Sequence, residues 1–487
     1  MDKPLSKPVC LHASAACVTA LQSACTVGMP ALLSLPAWSW ADVLVASTVV
    51  YVIWQVRIVH FPPYLLANET NHIQLIKHEI QSPLSKIPGP RPVVLASLVY
   101  RLNRYVGDDR ANVIAIHKKY GPIVRTGRGS VWVSDVDMIR KILGSHNYNK
   151  TYYYDAFRFD GDNLFATRDV AYHRVQKRLM LPAYTPSALG NLEPLLYEMG
   201  VRRLADVIRE HAVAGEAIDL LDLFHCMTFD IIGEVAFGKS FNLLDQGEKK
   251  HPIIKWMYAT TAHGVKKNLL GPLYHPSLFP KNIEAMDKLR EFAMNALAER
   301  KAMPDCKRQD TLQQLITAVD EETGATMSDR DIIAEIILLM IAGTDTTAIT
   351  LTWTMHFLLE HPEAMQRLLA EIKAAYPDAG TKTEHDTIQS MPYLEAVLRE
   401  SMRLRPIVPQ GLSRVVPEEG LTLGGYYLPA GTLVYSSIQT MHLNPEVFPD
   451  PTAFKPERWL TSPDQLEIMK RHWVTFSVGP RACIGRK

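Results

Sequence analysis

The chain has 487 residues, 47% of them hydrophobic, with 52 Lys and Arg against 51 Asp and Glu. That is ample for a large core and too long for one average domain. The balanced charge creates no global field to draw in nucleic acid, so no such partner is expected. The 6 cysteines, at 10, 17, 25, 226, 306 and 483, give neither a disulfide framework nor a C-x-x-C metal site, and a reducing compartment fits the body of the chain.

The N-terminus differs from the rest. No Asp, Glu, Lys or Arg occurs from Pro8 to Ala41, and a second uncharged run extends from Val43 to Val56. A spanning helix needs about 20 mostly apolar residues, so a span here must tolerate Asp42 near its end. Trp38, Trp40 and Trp54 suit the interfaces of such a helix, and Arg57 and His60 its polar exit. Residues 31–60 are therefore expected to be a membrane anchor. Residues 1–30 read as a second membrane segment, a cleaved signal or an unstructured leader. Pro62-Pro63 ends the anchor, residues 61–86 form a linker, and Ile87-Pro88-Gly89-Pro90-Arg91-Pro92 is a stiff, extended entry to the main body.

The body is expected to be mainly α with small β-sheets. Ile123–Thr126 and Val131–Val133 flank Gly127-Arg128-Gly129 as a hairpin. Residues 186–212, 217–236 and 281–303 carry apolar residues at helical spacing. Residues 329–360 give the longest helix, opened by Ser328 and Asp331 as a capping box and closed by His361-Pro362. At 1.5 Å per residue it runs roughly 45–50 Å. It is apolar nearly all round, so it is either a central buried helix or a membrane span, and its Thr-Asp-Thr-Thr centre argues against lipid. Pro392–Arg405 is a further helix, strands follow over Leu421–Ser437, and four prolines from Pro445 to Pro456 mark a meandering loop.

The strongest chemical signal is Phe476-Ser-Val-Gly479-Pro-Arg481-Ala-Cys483-Ile-Gly485. Glycines let the backbone pack closely and turn, free amides in such a loop can donate to a sulfur anion, and an arginine can satisfy a buried carboxylate. Alone, the segment also fits a Gly-rich surface loop with a stray cysteine. Every fixed position nevertheless matches F-x-x-G-x-R-x-C-x-G, the haem-binding loop of the cytochrome P450 family, which the chain resembles over residues 87–487.

Three further motifs follow that resemblance. Ala342-Gly343-Thr344-Asp345-Thr346-Thr347 is similar to the family's oxygen-activation motif, which implies Thr346 and Asp345 as the catalytic alcohol and acid of a proton relay. Glu400-Ser-Met-Arg403 resembles the family's buried structural pair, joined by Arg458, with Trp459 where the family often has Phe. Tyr172-His173-Arg-Val-Gln-Lys177-Arg178 resembles the W-x-x-x-R helix, with His173 for Trp and Lys177 for Arg. Both, with Arg414, are implied propionate contacts.

The resemblance implies the P450 fold, a triangular helical domain with a long central helix, behind the N-terminal membrane anchor. It implies haem b held by Cys483 as axial ligand, with Arg481, Phe476, Gly479, Ala342 and Gly343 around it. It implies O2 as cosubstrate and NADPH acting indirectly, through NADPH–cytochrome P450 reductase. Lys177 and Arg178 are candidate docking contacts for that donor. The expected reaction is monooxygenation of a hydrophobic organic molecule, since Phe157, Phe159, Phe165, Leu338, Val408 and Leu412 stand in pocket-forming segments. The style of the sequence resembles fungal members acting in secondary metabolism. The expected location is the endoplasmic reticulum membrane with a cytosolic catalytic domain, leaving the sequons at Asn68 and Asn149 unglycosylated. Only Ile484-Gly485-Arg486-Lys487 follow the cysteine, where the family continues into another helix and a hairpin. Two alternatives stay open: a haem-thiolate isomerase or dehydratase, and a truncated non-catalytic haem protein.

Overall fold

The structure, a computed structural model, describes residues 80–93, 110–246, 252–270, 274–303, 310–378, 381–409 and 411–486. The expected leader, the anchor, most of the linker and Asn68 lie outside these residues. Leu84 and Ile87 are both buried in the core on the sheet side. The extended entry lies against the first strand, where the Arg125 amide donates to Pro88 O at 2.8 Å.

Among the described residues, seven short strands form two sheets: β1 (Ile123–Gly127), β2 (Ser130–Val133), β3 (Asn149–Lys150), β4 (Ser413–Val415), β5 (Leu421–Leu423), β6 (Tyr426–Leu428) and β7 (Leu433–Ser436). The larger sheet has the order β1-β2-β7-β4-β3, and β5 pairs only with β6. The expected hairpin is present, with Ile123 opposite Val133. A parallel β2–β7 pairing brings strands 300 residues apart side by side, Ser130 opposite Leu433.

The rest is mainly helical. The helices used below are α1 (Arg110–Tyr120), α2 (Val136–Leu143), α3 (Val170–Met180), α4 (Leu220–Phe237), α5 (Ile253–Leu270), α6 (Pro280–Lys301), α7 (Asp329–Glu360) and α8 (Pro392–Leu404). Helix α7 has the expected bounds. Ser328 Oγ accepts from the Asp331 amide and the Asp331 side chain accepts from the Ser328 amide, so two otherwise orphaned donors are satisfied reciprocally. Its first half is enclosed, with Ile332, Ile336, Ile337 and Met340 in one cluster with Phe229 of α4 and Leu289 of α6. The long apolar helix is thus the centre of the helical core.

The helix expected over 186–212 is instead interrupted. Pro186–Leu196 is α-helical, Tyr197–Arg202 is a π-turn, and Arg203–Ala214 resumes the α-helix. Pro194 stands inside the first part and lacks the amide that a regular ladder needs. Helices α1, α2 and α5 fall where the sequence pattern gave no specific signal.

Candidate active site

The cysteine loop is shaped by close backbone approach. Gly479 has φ +74°, and a Cβ there would stand 2.6 Å from Gly144 Cα and 2.7 Å from Leu143 O, so any side chain would push the loop off the end of α2. Ser477 also takes a left-handed conformation, φ +61°. The Cys483 amide donates to Phe476 O at 2.9 Å and closes the loop. Phe476 itself packs edge-on against Trp473, ring centres 5.8 Å apart. Val478 packs on the sheet-side core and Ile484 on the helical core, so the loop bridges both. Cys483 keeps an open side. Desolvation by its neighbours pushes the thiol up, opposed by a hydrogen bond from the Gly485 amide and by Arg486.

Beside the loop lies a group of buried cations. Arg481 donates through Nη1 to Thr167 O at 2.9 Å, but its buried Nε and Nη2 find no hydrogen-bond partner among the described residues. Burial, then the charge of Arg414, lower its guanidinium to about 10. Arg414, on β4, donates to Ser413 O at 2.9 Å and to Tyr154 Oη at 3.4 Å, and its Nε is likewise unpartnered among the described residues. Lys150, on β3, donates to Phe165 O and sits over the Tyr154 and Phe165 rings, 4.7 and 4.8 Å from their centres. Burial, then Arg414 and Arg481, hold its ammonium well below the ordinary lysine range. His173, on α3, is pushed down to about 3 by burial and then by Arg481 and Lys150. Its Nδ1 faces His146 Nε2 at 3.4 Å.

Two further basic residues of α3 are engaged within the protein. Lys177 Nζ donates to Pro480 O at 2.6 Å and ties α3 to the cysteine loop. Arg178 forms a two-point bond with Asp320, at 2.6 and 2.8 Å, and also reaches Glu322. Of the pair first read as docking contacts, both thus have internal partners.

In α7 the motif residues divide between two faces. Ala342, Thr346 and Thr347 are exposed on a helix whose neighbouring turns are buried, while Thr344 is fully enclosed. Thr346 Oγ1 donates to Ala342 O at 2.7 Å, and Thr350 Oγ1 in turn to Thr346 O at 2.7 Å. Such back-bonding competes with the helical ladder and loosens it. Gly343 lies close to α4: a Cβ there would meet the tip of the Ile232 side chain, Cδ1, at 2.9 Å. Asp345 points away from Thr346, toward α4, where its Oδ1 lies 3.5 Å from His225 Nε2. Earlier in the helix, Glu335 is fully buried. One oxygen accepts from the Leu164 amide at 2.6 Å, and burial raises its carboxyl to about 8.

The pair Glu400–Arg403 of α8 is a closed network. Arg403 grips Glu400 through Nε and Nη2, both at 2.8 Å, and Arg458 Nε adds a third bond at 2.9 Å. The Trp459 indole N–H donates to Glu400 Oε2 at 3.0 Å, which a phenylalanine could not do. The rest of Arg403 is satisfied by the carbonyls of His442, Pro451 and Ala453. Of the expected pocket residues, Phe159 and Leu338 are buried in the helical core. Phe165 and Val408 are exposed, and Phe157 packs edge-on against Phe165.

Sequence reasoning missed Lys150, Glu335 and His225. None belongs to a contiguous motif, and each acquires meaning only through a tertiary contact. No cluster of three or more His, Cys, Asp or Glu side chains able to hold a metal occurs among the described residues. Cys483 is a free, exposed thiol in the loop that also carries Arg481.

Residues 87–487 match the family model described as Cytochrome P450. The chain is 30% identical over 431 residues to cytochrome P450 monooxygenase helB1 of Aspergillus fumigatus, covering 85% of this chain and 72% of that protein. It is 30% identical over 443 residues to cytochrome P450 monooxygenase BOT1 of Botryotinia fuckeliana, covering 85% and 83%. Cytochrome P450 monooxygenase atr2 of Stereocaulon alpinum is 29% identical over 425 residues, covering 83% of this chain and 81% of that protein. Together with the cysteine loop, the central helix and the buried Glu400 network, these matches establish that the chain belongs to the cytochrome P450 family, the haem-dependent monooxygenases.

Proposed function

We propose that this enzyme inserts one oxygen atom from O2 into a lipophilic organic substrate of secondary metabolism, with Cys483 as the residue that would hold the haem iron and Thr346 and Asp345 as the catalytic alcohol and acid. The observation that carries the reading is the cradle beside the cysteine loop. Buried cations of one sign repel one another and cost free energy unless an anion joins them. Arg481 Nε and Nη2 and Arg414 Nε are buried donors without partners among the described residues. A group bearing two carboxylates, as haem b does, fits these donors, with Lys150 opposite Arg414 and the buried His173 imidazole, kept neutral by its surroundings, nearby.

Bound there, haem supplies the oxygen chemistry, and a thiolate ligand pushes electron density toward the iron. The chain's own residues do the rest. The Gly485 amide steadies the sulfur anion against the desolvation that raises the free thiol, and Cys483 would be held deprotonated as a ligand to iron. Thr346 offers a hydroxyl on the open face of α7, and Asp345 moves protons toward it. Phe157, Phe165, Val408 and Leu412 offer apolar and aromatic surface to a hydrophobic substrate. Electrons come from NADPH–cytochrome P450 reductase. The docking surface then excludes Arg178, whose guanidinium Asp320 already binds. Residues 31–60 anchor the protein in the endoplasmic reticulum membrane, with the catalytic domain in the cytosol. The fungal relatives support the assignment to secondary metabolism.

The test is isotopic. The haem-loaded full chain, with reductase and NADPH, is incubated under labelled O2 with a lipophilic metabolite extract. One labelled oxygen in a new product, reduced in Thr346→Ala, is the expected result. A product isomerised or dehydrated without labelled oxygen would select the isomerase or dehydratase reading instead.

A further inference from the structure

The relay residue Asp345 has a partner that no motif announces. Its Oδ1 is buried and finds no hydrogen bond among the described residues, and the same holds for His225 Nε2. The two atoms face each other at 3.5 Å, with the His225 side chain 7% exposed and that of Asp345 26%. This separation is an ion-pair contact slightly too long for a hydrogen bond. Asp345, next to Thr346 in sequence, is the more exposed of the two side chains.

The imidazole is far less free than the carboxylate. Helix α4 meets α7 so closely at Gly343 that a Cβ there would stand 2.9 Å from Ile232 Cδ1, and this fixes the spacing of the two helices. On its other side the His225 ring packs edge-on against Tyr258 of α5, ring centres 6.3 Å apart. The imidazole is thus packed between α5 and α7, beside Asp345.

We propose that His225 is a positioning residue for oxygen activation: its Nε2–H holds the Asp345 carboxylate on the α4 side and sets the geometry from which Asp345 serves Thr346. This rests on the assignment of Asp345 and Thr346 above. The role is hydrogen bonding and not bulk, so two substitutions separate the possibilities. His225→Phe keeps a ring against Tyr258 and removes the donor. His225→Gln keeps an N–H near the place of Nε2 and removes the ring.

The experiment measures NADPH-driven oxygen consumption by the haem-loaded full chain with reductase, in H2O and in D2O, for both variants and for Asp345→Asn. Misplacing a proton-handling group by about 1 Å costs up to 10²-fold, so His225→Phe and Asp345→Asn should both slow consumption by on the order of tenfold or more and enlarge the solvent isotope effect. His225→Gln should recover most of the rate. Thermal unfolding supplies a readout independent of turnover: His225→Phe and Asp345→Asn should be non-additive when combined. A reduced-carbon monoxide spectrum of the thiolate type verifies that each variant holds its haem. If Asp345→Asn slows turnover and His225→Phe does not, or if Phe is tolerated better than Gln, the positioning role is wrong and His225 is packing alone. If Asp345→Asn itself leaves the rate and isotope effect unchanged, the relay assignment falls, and this proposal with it.

Discussion

The molecule buries two clusters of charge, and they are built in opposite ways. Around Glu400 the signs alternate: Arg403 and Arg458 meet the carboxylate, Trp459 and the Lys455 amide complete it, and backbone carbonyls take the remaining guanidinium donors. Around Arg481 the charges share one sign, and three guanidinium nitrogens are left over among the described residues. The first cluster is complete within the chain, as a structural element must be. The second is complete only with an anion the chain does not supply, as a binding site must be.

That contrast predicts opposite responses to the loss of one arginine. Arg403→Leu leaves Glu400 buried with part of its network gone, a change that costs about 3–5 kcal/mol, so the protein should fail to accumulate or melt many degrees lower. Arg481→Leu relieves repulsion while losing one bond to Thr167 O, so the haem-free protein should keep its stability to within about 1 kcal/mol. Haem transfer to an acceptor protein should instead accelerate, reflecting the loss of charge-assisted bonds worth about 1.5–3 kcal/mol. Equal destabilisation by both changes would erase the distinction.

Glu335 sharpens the comparison through pH. Its folded carboxyl is raised from 4.5 to about 8 by burial, so the folded chain holds a proton that the unfolded chain releases. Its contribution is therefore fully present below pH 4.5 and is lost as pH rises toward 8. Glu335→Gln should remove that slope, gaining on the order of 1–3 kcal/mol over the native chain near the upper limit, as read from thermal midpoints across the range. The smallest effect concerns Trp459. Trp459→Phe keeps the aromatic packing but deletes the indole bond to Glu400, and should cost about 1–2 kcal/mol in denaturant titration.

Much of this was legible in the sequence where the signal was local. Helix α7 begins and ends where its capping box and His361-Pro362 require, because both signals are contained in a few adjacent residues. The cysteine loop was legible for the same reason, and Gly479 proved to be demanded by contact with Gly144. The helix over 186–212 was misread as continuous because the apolar spacing persists through the π-turn at Tyr197–Arg202. The missing half of the site was tertiary. Lys150 reaches the cradle because β3 pairs with β4, far away in sequence, with Lys150 opposite Arg414. His225 reaches Asp345 because α4 crosses α7. No spacing rule within one segment could have joined either pair. Trp459 was readable as an aromatic substitute, and only the fold reveals its N–H as a ligand to Glu400.

The most direct test of the central claim is the carbon monoxide difference spectrum of the dithionite-reduced full chain, recorded beside Cys483→Ala. The account predicts a red-shifted Soret band of thiolate type in the native chain and its complete loss in the variant. A thiolate-type band that survives Cys483→Ala, or a native spectrum without one, would contradict Cys483 as the iron ligand.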